Sequence, residues 1–355
     1  MKRLILLIIT CYGLLLGYAN TDTASDSLLQ MLQTLPHDTT RLSTLNAIIK
    51  IEQNNYKCIQ YSDTLMLEAL KLKNDKYASL AAYYHLLYYY NRCEQDSVAK
   101  WIVKMEPLVQ KSGLWDYFFD ARRFQIDLYT FTEQYELAIS EANKMKQKAL
   151  DIDNNRGMVA AYQCLSNAYI GSQRWDEGLK ALEEAYRLLP KNGNAVVRIS
   201  VLSQLISVTK EMKDNNRQLK YLQELENVLC KFIIDNPSLK DVFADVFIFN
   251  EIFYAHYYLN TDQPQLAYSH IEKSKKYLTE NTYFMYKVLY YDIYAKYYQS
   301  IKQYQQASAY IDTTLTMLKK DFTSDYAEQL LKQAKIWVEA GDNNRAIQKA
   351  LYLQL

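Results

Sequence analysis

Val159 to Pro190 reads VAAYQCLSNAYIGSQRWDEGLKALEEAYRLLP, and the order of large and small residues in it decides the fold. Two helical stretches flank a Gln173-Arg174-Trp175-Asp176 turn. With Val159 as position 1, Tyr162 falls at 4, Leu165 at 7, Ser166 at 8, Tyr169 at 11 and Gly178 at 20. Leu182 follows at 24, Ala185 at 27 and Pro190 at 32. Large residues at 4, 7, 11 and 24 fill the space between two antiparallel helices. Small ones at 8, 20 and 27 let the backbones approach closely. Pro190 stops the second helix because it has no amide hydrogen to donate.

The position-20 slot can be followed along the chain at Cys58, Ala99, Ala138, Gly178, Gln218, Ala267, Ala307 and Ala346. Successive intervals are 41, 39, 40, 40, 49, 40 and 39 residues. Gln218 fits a small-residue slot poorly. Tyr83, Leu86, Leu87 and Tyr90 are read at positions 4, 7, 8 and 11 of one unit, and Tyr291, Tyr294, Ala295 and Tyr298 of another. The turns EQNNYKC, TEQYELA, SQRWDEG, KDNNRQL, IKQYQQA and GDNNRAI are alike. Near Asn236-Pro237-Ser238 the long interval carries about nine extra residues, read as a loop or an extended helix pair and as a hinge. Ahead of the first slot, Asn20 to Ser25 is expected to be polar and mobile, and Leu28 to Leu35 a short helix ending before Pro36.

This order resembles the tetratricopeptide repeat, with its W-x2-L-G-x2-Y, A-x3-F, A and P positions. The match is good at the small and aromatic slots and weak at the glycine of position 8. The resemblance implies an all-α, right-handed superhelical solenoid of about eight antiparallel helix pairs. A spacing of 40 exceeds the family's usual 34 by six residues. Six residues amount to about 9 Å of helix shared within each pair, unless the turns lengthen instead. Lengthened repeats behind a leader and a DSLL start (Asp26 to Leu29) resemble the exported sensor region of bacterial repeat-containing histidine kinases and regulators. The chain stops at Leu355 within a second helix, with Leu351, Leu353 and Leu355 apolar. That reads as a truncated sensor, or as an end that another surface covers.

Composition agrees with a solenoid. Only 8 Gly and 5 Pro are present, too few to punctuate a many-stranded sheet protein, while Tyr reaches 33. With 41 basic and 40 acidic residues the chain offers no net field for nucleic acid. Residues 1–19, MKRLILLIITCYGLLLGYA, have a basic start, an apolar middle and a small-residue end, which predicts a signal peptide cleaved after Ala19. The leader implies an exported, periplasmic mature protein, and contact with a membrane is expected solely if that leader stays uncleaved. Two arrays follow, 20–235 and 236–355. Cys58, Cys93, Cys164 and Cys230 have no metal spacing; Cys58 and Cys164 read as buried small hydrophobes, with three disulfide pairings open. Asp-Ser/Thr triplets such as Asp22-Thr23-Ala24 and Asp63-Thr64-Leu65 resemble an O-glycosylation signal of some Gram-negative bacteria.

The sequence contains no H-E-x-x-H, G-x-S-x-G, phosphate-loop or EF-hand pattern, so no catalytic residue, metal or cofactor is expected. The resemblance implies instead a protein or peptide partner on the concave face, met by positions 2, 5, 9, 12 and 13 of each first helix. Those positions give Tyr84, Tyr88 and Arg92, then Arg123 and Asp127, then Gln163 and Asn167. Ser203 and Ser207 come next, followed by Phe249, Ile252 and His256, then Asp292 and Lys296. The alternative reading is a glycan or small ligand held by tyrosine-rich helix faces such as Tyr290, Tyr291, Tyr294, Tyr297 and Tyr298. No signal in the sequence sets the oligomeric state.

Overall fold

The computed structural model describes residues 21–52, 56–190, 193–318 and 323–351. The expected leader, Leu353 and Leu355 lie outside these residues. Among the described residues the regular structure is entirely helical.

The chain forms two compact units that meet in sequence at Lys191 and Asn192. The first begins with α1 (Thr21–Thr34) and continues as four helix pairs. These are α2 (Thr39–Glu52) with α3 (Lys57–Lys71), α4 (Asp75–Tyr90) with α5 (Gln95–Ser112), α6 (Trp115–Phe131) with α7 (Tyr135–Asp151), and α8 (Asn155–Gly171) with α9 (Trp175–Leu188). The second holds four more. They are α10 (Ala195–Glu211) with α11 (Asn215–Asp235), α12 (Ala244–Asn260) with α13 (Pro264–Lys275), α14 (Phe284–Ser300) with α15 (Tyr304–Leu318), and α16 (Thr323–Glu339) with α17 (Asn343–Leu351). Within each unit the helices of a pair pack on each other, and successive first helices pack side by side, as α4 on α6 on α8 and α10 on α12 on α14. That is the helical-repeat solenoid arrangement, with eight pairs among the described residues.

Some of the first helices have polar caps that satisfy free backbone amides. Asn74 Oδ1 accepts from Tyr77 N at 3.3 Å, Asn154 Oδ1 from Gly157 N at 2.6 Å, and Asn194 Oδ1 from Val196 N at 2.9 Å. From α4 onward each first helix turns into its partner in the same way. The amide of Gln134 donates to Tyr129 O and that of Glu133 to Thr130 O, with Glu133 left-handed at φ 63°. This is a Schellman motif whose last residue is also the residue preceding the next helix. It recurs with left-handed residues Cys93, Glu133, Gln173, Lys213, Asp262, Lys302 and Gly341. Six of the seven are not glycine. Each therefore bears a local cost of about 1 kcal/mol, which packing of the pair must offset.

The position-20 slot closes each pair, and its amide donates to the carbonyl of the residue just before the second helix: Ala138 to Gln134, Gly178 to Arg174, Ala267 to Gln263. In α5 this residue is Val98, which is fully buried and donates to Glu94 O; Ala99 is only half-buried. The expected slot at Ala99 is thus one residue too late. Alanine was the smaller choice, but Val98 faces the partner helix. The first intervals become 40 and 40, and positions 4, 7, 8 and 11 of that unit pass to Ala82, His85, Leu86 and Tyr89. Gln218 does occupy its slot, fully buried.

The extra six residues per repeat lie in helix. The first helices α6, α8, α10, α12, α14 and α16 are each 17 residues long, while the turns inside pairs stay short. The long interval is filled by a 21-residue α11, a 3₁₀ turn at Pro237–Leu239 and a late start of α12. At the other end, α1 begins at Thr21, so 21–25 is helical rather than a mobile lead. The pattern Ala24, Leu28, Met31, Leu32, Leu35 carries the helical period back through those polar residues.

Gly178 shows how close the backbones come: a Cβ there would sit 2.7 Å from Ile170 Cγ1. Gly178→Val should therefore destabilise the fold by about 1–3 kcal/mol, read as a lower urea midpoint with an unchanged slope.

Candidate functional site

In the second unit, four side chains from three successive first helices gather at the inward positions. Lys210 lies in the last turn of α10, His256 on α12, and Asp292 and Lys296 on α14. All four are buried or nearly so, although three of them carry charge. Asp292 Oδ1 accepts from Lys332 Nζ at 2.6 Å and from Gln329 Nε2 at 3.2 Å, both on α16. Despite its burial, which pushes the other way, the ammonium groups of Lys332 and Lys296 hold this carboxyl down at about 2. Lys210 Nζ donates to Glu211 Oε1 at 2.6 Å, and its charge holds Glu211 below the usual carboxylate range against the effect of burial.

Lys296 differs from its neighbours. Its Nζ has one polar contact, a long 3.5 Å approach to His256 Nδ1, and no carboxylate among the described residues pairs with it. Burial, reinforced by Lys210 and Lys332, lowers it to about 8 even though Asp292 pulls it up. Burial together with the same three lysines keeps His256 neutral. Beside this ammonium lies a cavity of about 420 Å³ lined by Lys210, Glu211, Lys213, Asn215, Asn260 and Lys296.

In the first unit, α6 places Arg123 and Asp127 one helical turn apart. Asp127 is 3% exposed and accepts no hydrogen bond from the described residues, and burial raises its carboxyl to about 6 against the pull of Arg123. The Arg123 Nε is also buried without a partner, and the nearest carboxylate, Asp120, is 4.0 Å from Nη2. On the neighbouring α8, Asn167 is buried and Gln163 half-buried at the corresponding positions.

The remaining expected contacts belong to the unit whose register moves by one. Tyr84 is 3% exposed, and its hydroxyl donates to Asn46 Oδ1 on α2 at 2.9 Å, so it ties two repeats together. Tyr88 lies under the Arg92 guanidinium at 3.4 Å, and Arg92 also donates to Tyr88 O, closing off the helix end. Lys210 and Asn260, absent from the sequence-derived set, occupy positions 12 and 13 of their helices; reading Ser203 and Ser207 onward by one more turn reaches Lys210. Lys332 sits at position 6, off the inward stripe, and only the packing of α16 against α14 brings it in.

The tyrosine faces stack within helix pairs. Tyr254 and Tyr258 lie 4.8 and 5.3 Å from the His270 ring, and forty residues on Tyr294 and Tyr298 lie 4.8 and 5.4 Å from Tyr310. The Tyr254 hydroxyl donates to Glu226 and that of Tyr294 to Glu272. These rings fill the pair interior as a repeated clasp. Cys58, Cys93, Cys164 and Cys230 are all free; burial pushes the Cys58 thiol up to about 11 and Cys164 well above its ordinary value. Among the described residues no group of side chains has the make-up of a metal site, and no helix is long and apolar enough to cross a membrane.

No family model and no curated protein matches the sequence. Solved structures do match the fold. The apo form of the quorum sensor NprR from B. thuringiensis aligns over 93% of this chain and 92% of its own, at 14% identity and a TM-score of 0.59. Aspartyl phosphate phosphatase F from Bacillus subtilis aligns over 99% and 92%, at 13% identity and a TM-score of 0.57. A signal transduction ATPase with numerous domains and a tetratricopeptide repeat sensor, from Pyrococcus horikoshii, aligns over 93% of this chain at 15% identity and a TM-score of 0.58. Only 51% of that ATPase is covered. At such identities the likeness is one of fold, that of tetratricopeptide-like helical repeats.

The Asp127 carboxyl gives a pH test. Its folded value of about 6 lies above the ordinary 3.8, so it favours the fold at low pH and withdraws that contribution as pH rises through 6. Asp127→Asn should stabilise the protein at pH 7 by about 1–3 kcal/mol and lose that advantage below about pH 4, as followed by urea unfolding across pH.

Proposed function

We propose that this chain is a non-enzymatic scaffold that binds a protein or peptide segment along the inward positions of its first helices, as the sensing part of an exported signalling system. One observation carries the reading: among the described residues, the buried Lys296 ammonium and the buried Asp127 carboxyl each lack a salt-bridge partner. A fold keeps such groups at a cost in stability, and a ligand that supplies the missing partners recovers it. Binding suits these groups better than chemistry. The buried thiols are held protonated, which makes them poor nucleophiles, and His256 faces an ammonium rather than a nucleophile it could activate.

Two of the fold neighbours are named as sensors, one a quorum sensor and one carrying a tetratricopeptide repeat sensor, which supports sensing as the use of this architecture. The basic, apolar and small-residue order of residues 1–19 supports export. The near balance of charge favours a protein partner over nucleic acid.

Capture of a partner from cell-envelope extract should fall about tenfold when Arg123, Asn167 and Lys296 are each changed to Ala in one variant; undiminished capture by that folded variant refutes the inward site. For export, N-terminal sequencing of the protein recovered from its native compartment should begin at Asn20, and an intact Met1 would refute cleavage.

A further inference from the structure

The cavity between α10, α12 and α14 has a chemistry of its own. Lys210, its charge already matched by Glu211, forms one wall, and exposed Lys213 stands at the rim. Lys296 supplies a buried ammonium, and Asp292, one turn before it on α14, is bonded through Oδ1 to Lys332 and Gln329. Two more polar groups, Asn215 and Asn260, complete the lining, and Asn215 Oδ1 is buried without a hydrogen-bond partner. The site thus presents an unmatched cation beside an amide that lacks its donor.

We infer, building on the binding reading above, that this cavity takes a carboxylate, presented by an acidic residue of a bound segment or by a free organic acid. The carboxylate would sit against Lys296 Nζ, with an N–H next to it meeting Asn215. Three considerations choose this ligand. An ammonium and a carboxylate in a low-dielectric pocket form the strong class of hydrogen bond, whereas a neutral ligand would leave the buried charge unmatched. The Glu211 carboxylate on the wall opposes a second negative charge, which favours a monoanionic group over phosphate. The C-terminal ends of α10 and α12 each bring about half a negative charge to the same rim, and the three lysines outweigh them.

His256 has a positioning role. Buried and neutral, it accepts from Lys296 through Nδ1 and holds the ammonium toward the cavity without competing for its charge. The space also suits the ligand: about 420 Å³ holds a side chain or a short organic acid, not a folded element.

Three probes at constant ionic strength separate the possibilities: a blocked Ala-Glu-Ala-Ala peptide, propionate and inorganic phosphate, with a blocked Ala-Gln-Ala-Ala peptide as the neutral control. The reporters are the melting temperature and the rate at which acetic anhydride modifies Lys296, read by mass spectrometry. A carboxylate probe should raise the melting temperature and slow Lys296 modification by about fivefold or more, and Lys296→Met should abolish the thermal shift. Because Lys296→Met removes a buried, unpaired charge, the variant should fold and melt slightly higher than the parent without ligand. Protection by the peptide alone assigns the carboxylate to a polypeptide; protection by propionate as well shows that the group suffices by itself. The proposal is overturned if no carboxylate protects Lys296, if the glutamine peptide protects as well as the glutamate one, or if phosphate protects better than either acid. Should protection fail while the triple alanine variant still loses its partner, the carboxylate assignment falls and the scaffold reading stands.

Discussion

Close approach of two helices at one buried position, small in most of the repeats, is the contact on which each pair depends. At Gly178 the space is so tight that a methyl group has no room, and at Ala138, Ala267 and Ala307 the side chain is fully buried against the partner helix. Once that contact is fixed, the amide of the same residue is bound to the carbonyl ahead of the second helix, and the Schellman turn before it is fixed too. Six of the seven left-handed residues in those turns lack the freedom of glycine. Turn geometry here follows from packing, and the local chain bears the strain.

A second constraint follows from the first. When first helices stack side by side within a unit, each is covered by its own partner and by its neighbours, so nearly all its faces are buried. On α10 the run from Val201 to Lys210 is buried throughout. Polar residues on the inward stripe then have no solvent to retreat into. Some find mates, as Asp292 finds Lys332 and Gln329; Lys296 and Asp127 do not. The functional reading rests on these two buried charges rather than on exposed arginines such as Arg92.

Aromatic residues illustrate how one residue type serves several ends in such a stack. Tyr84 crosses between repeats to Asn46, the Tyr254 and Tyr294 clasps close their pairs, and Tyr88 lies beneath a guanidinium at a helix end. The tyrosine richness of the chain is therefore chiefly a means of filling tall pairs with rings that keep a polar tip within reach of a carboxylate.

The amino-acid order by itself determined the all-helical repeat and its period near 40 residues, because hydrophobic spacing and small-residue slots are properties of one helix and its immediate partner, while only the structure put the extra residues in helix rather than in turns. It also placed Arg123, Asp127, Asn167, His256 and Lys296 on the inward stripe. It misplaced the slot at Ala99 by one residue, since size pointed to alanine while helix rotation chose Val98. Only tertiary structure decided which inward charges are satisfied. Lys332 reaches Asp292 from 40 residues away through the stacking of α16 on α14, and Lys296 is left facing a cavity for the same reason. Charge pairing of that kind depends on distances between repeats, which no period within the chain encodes.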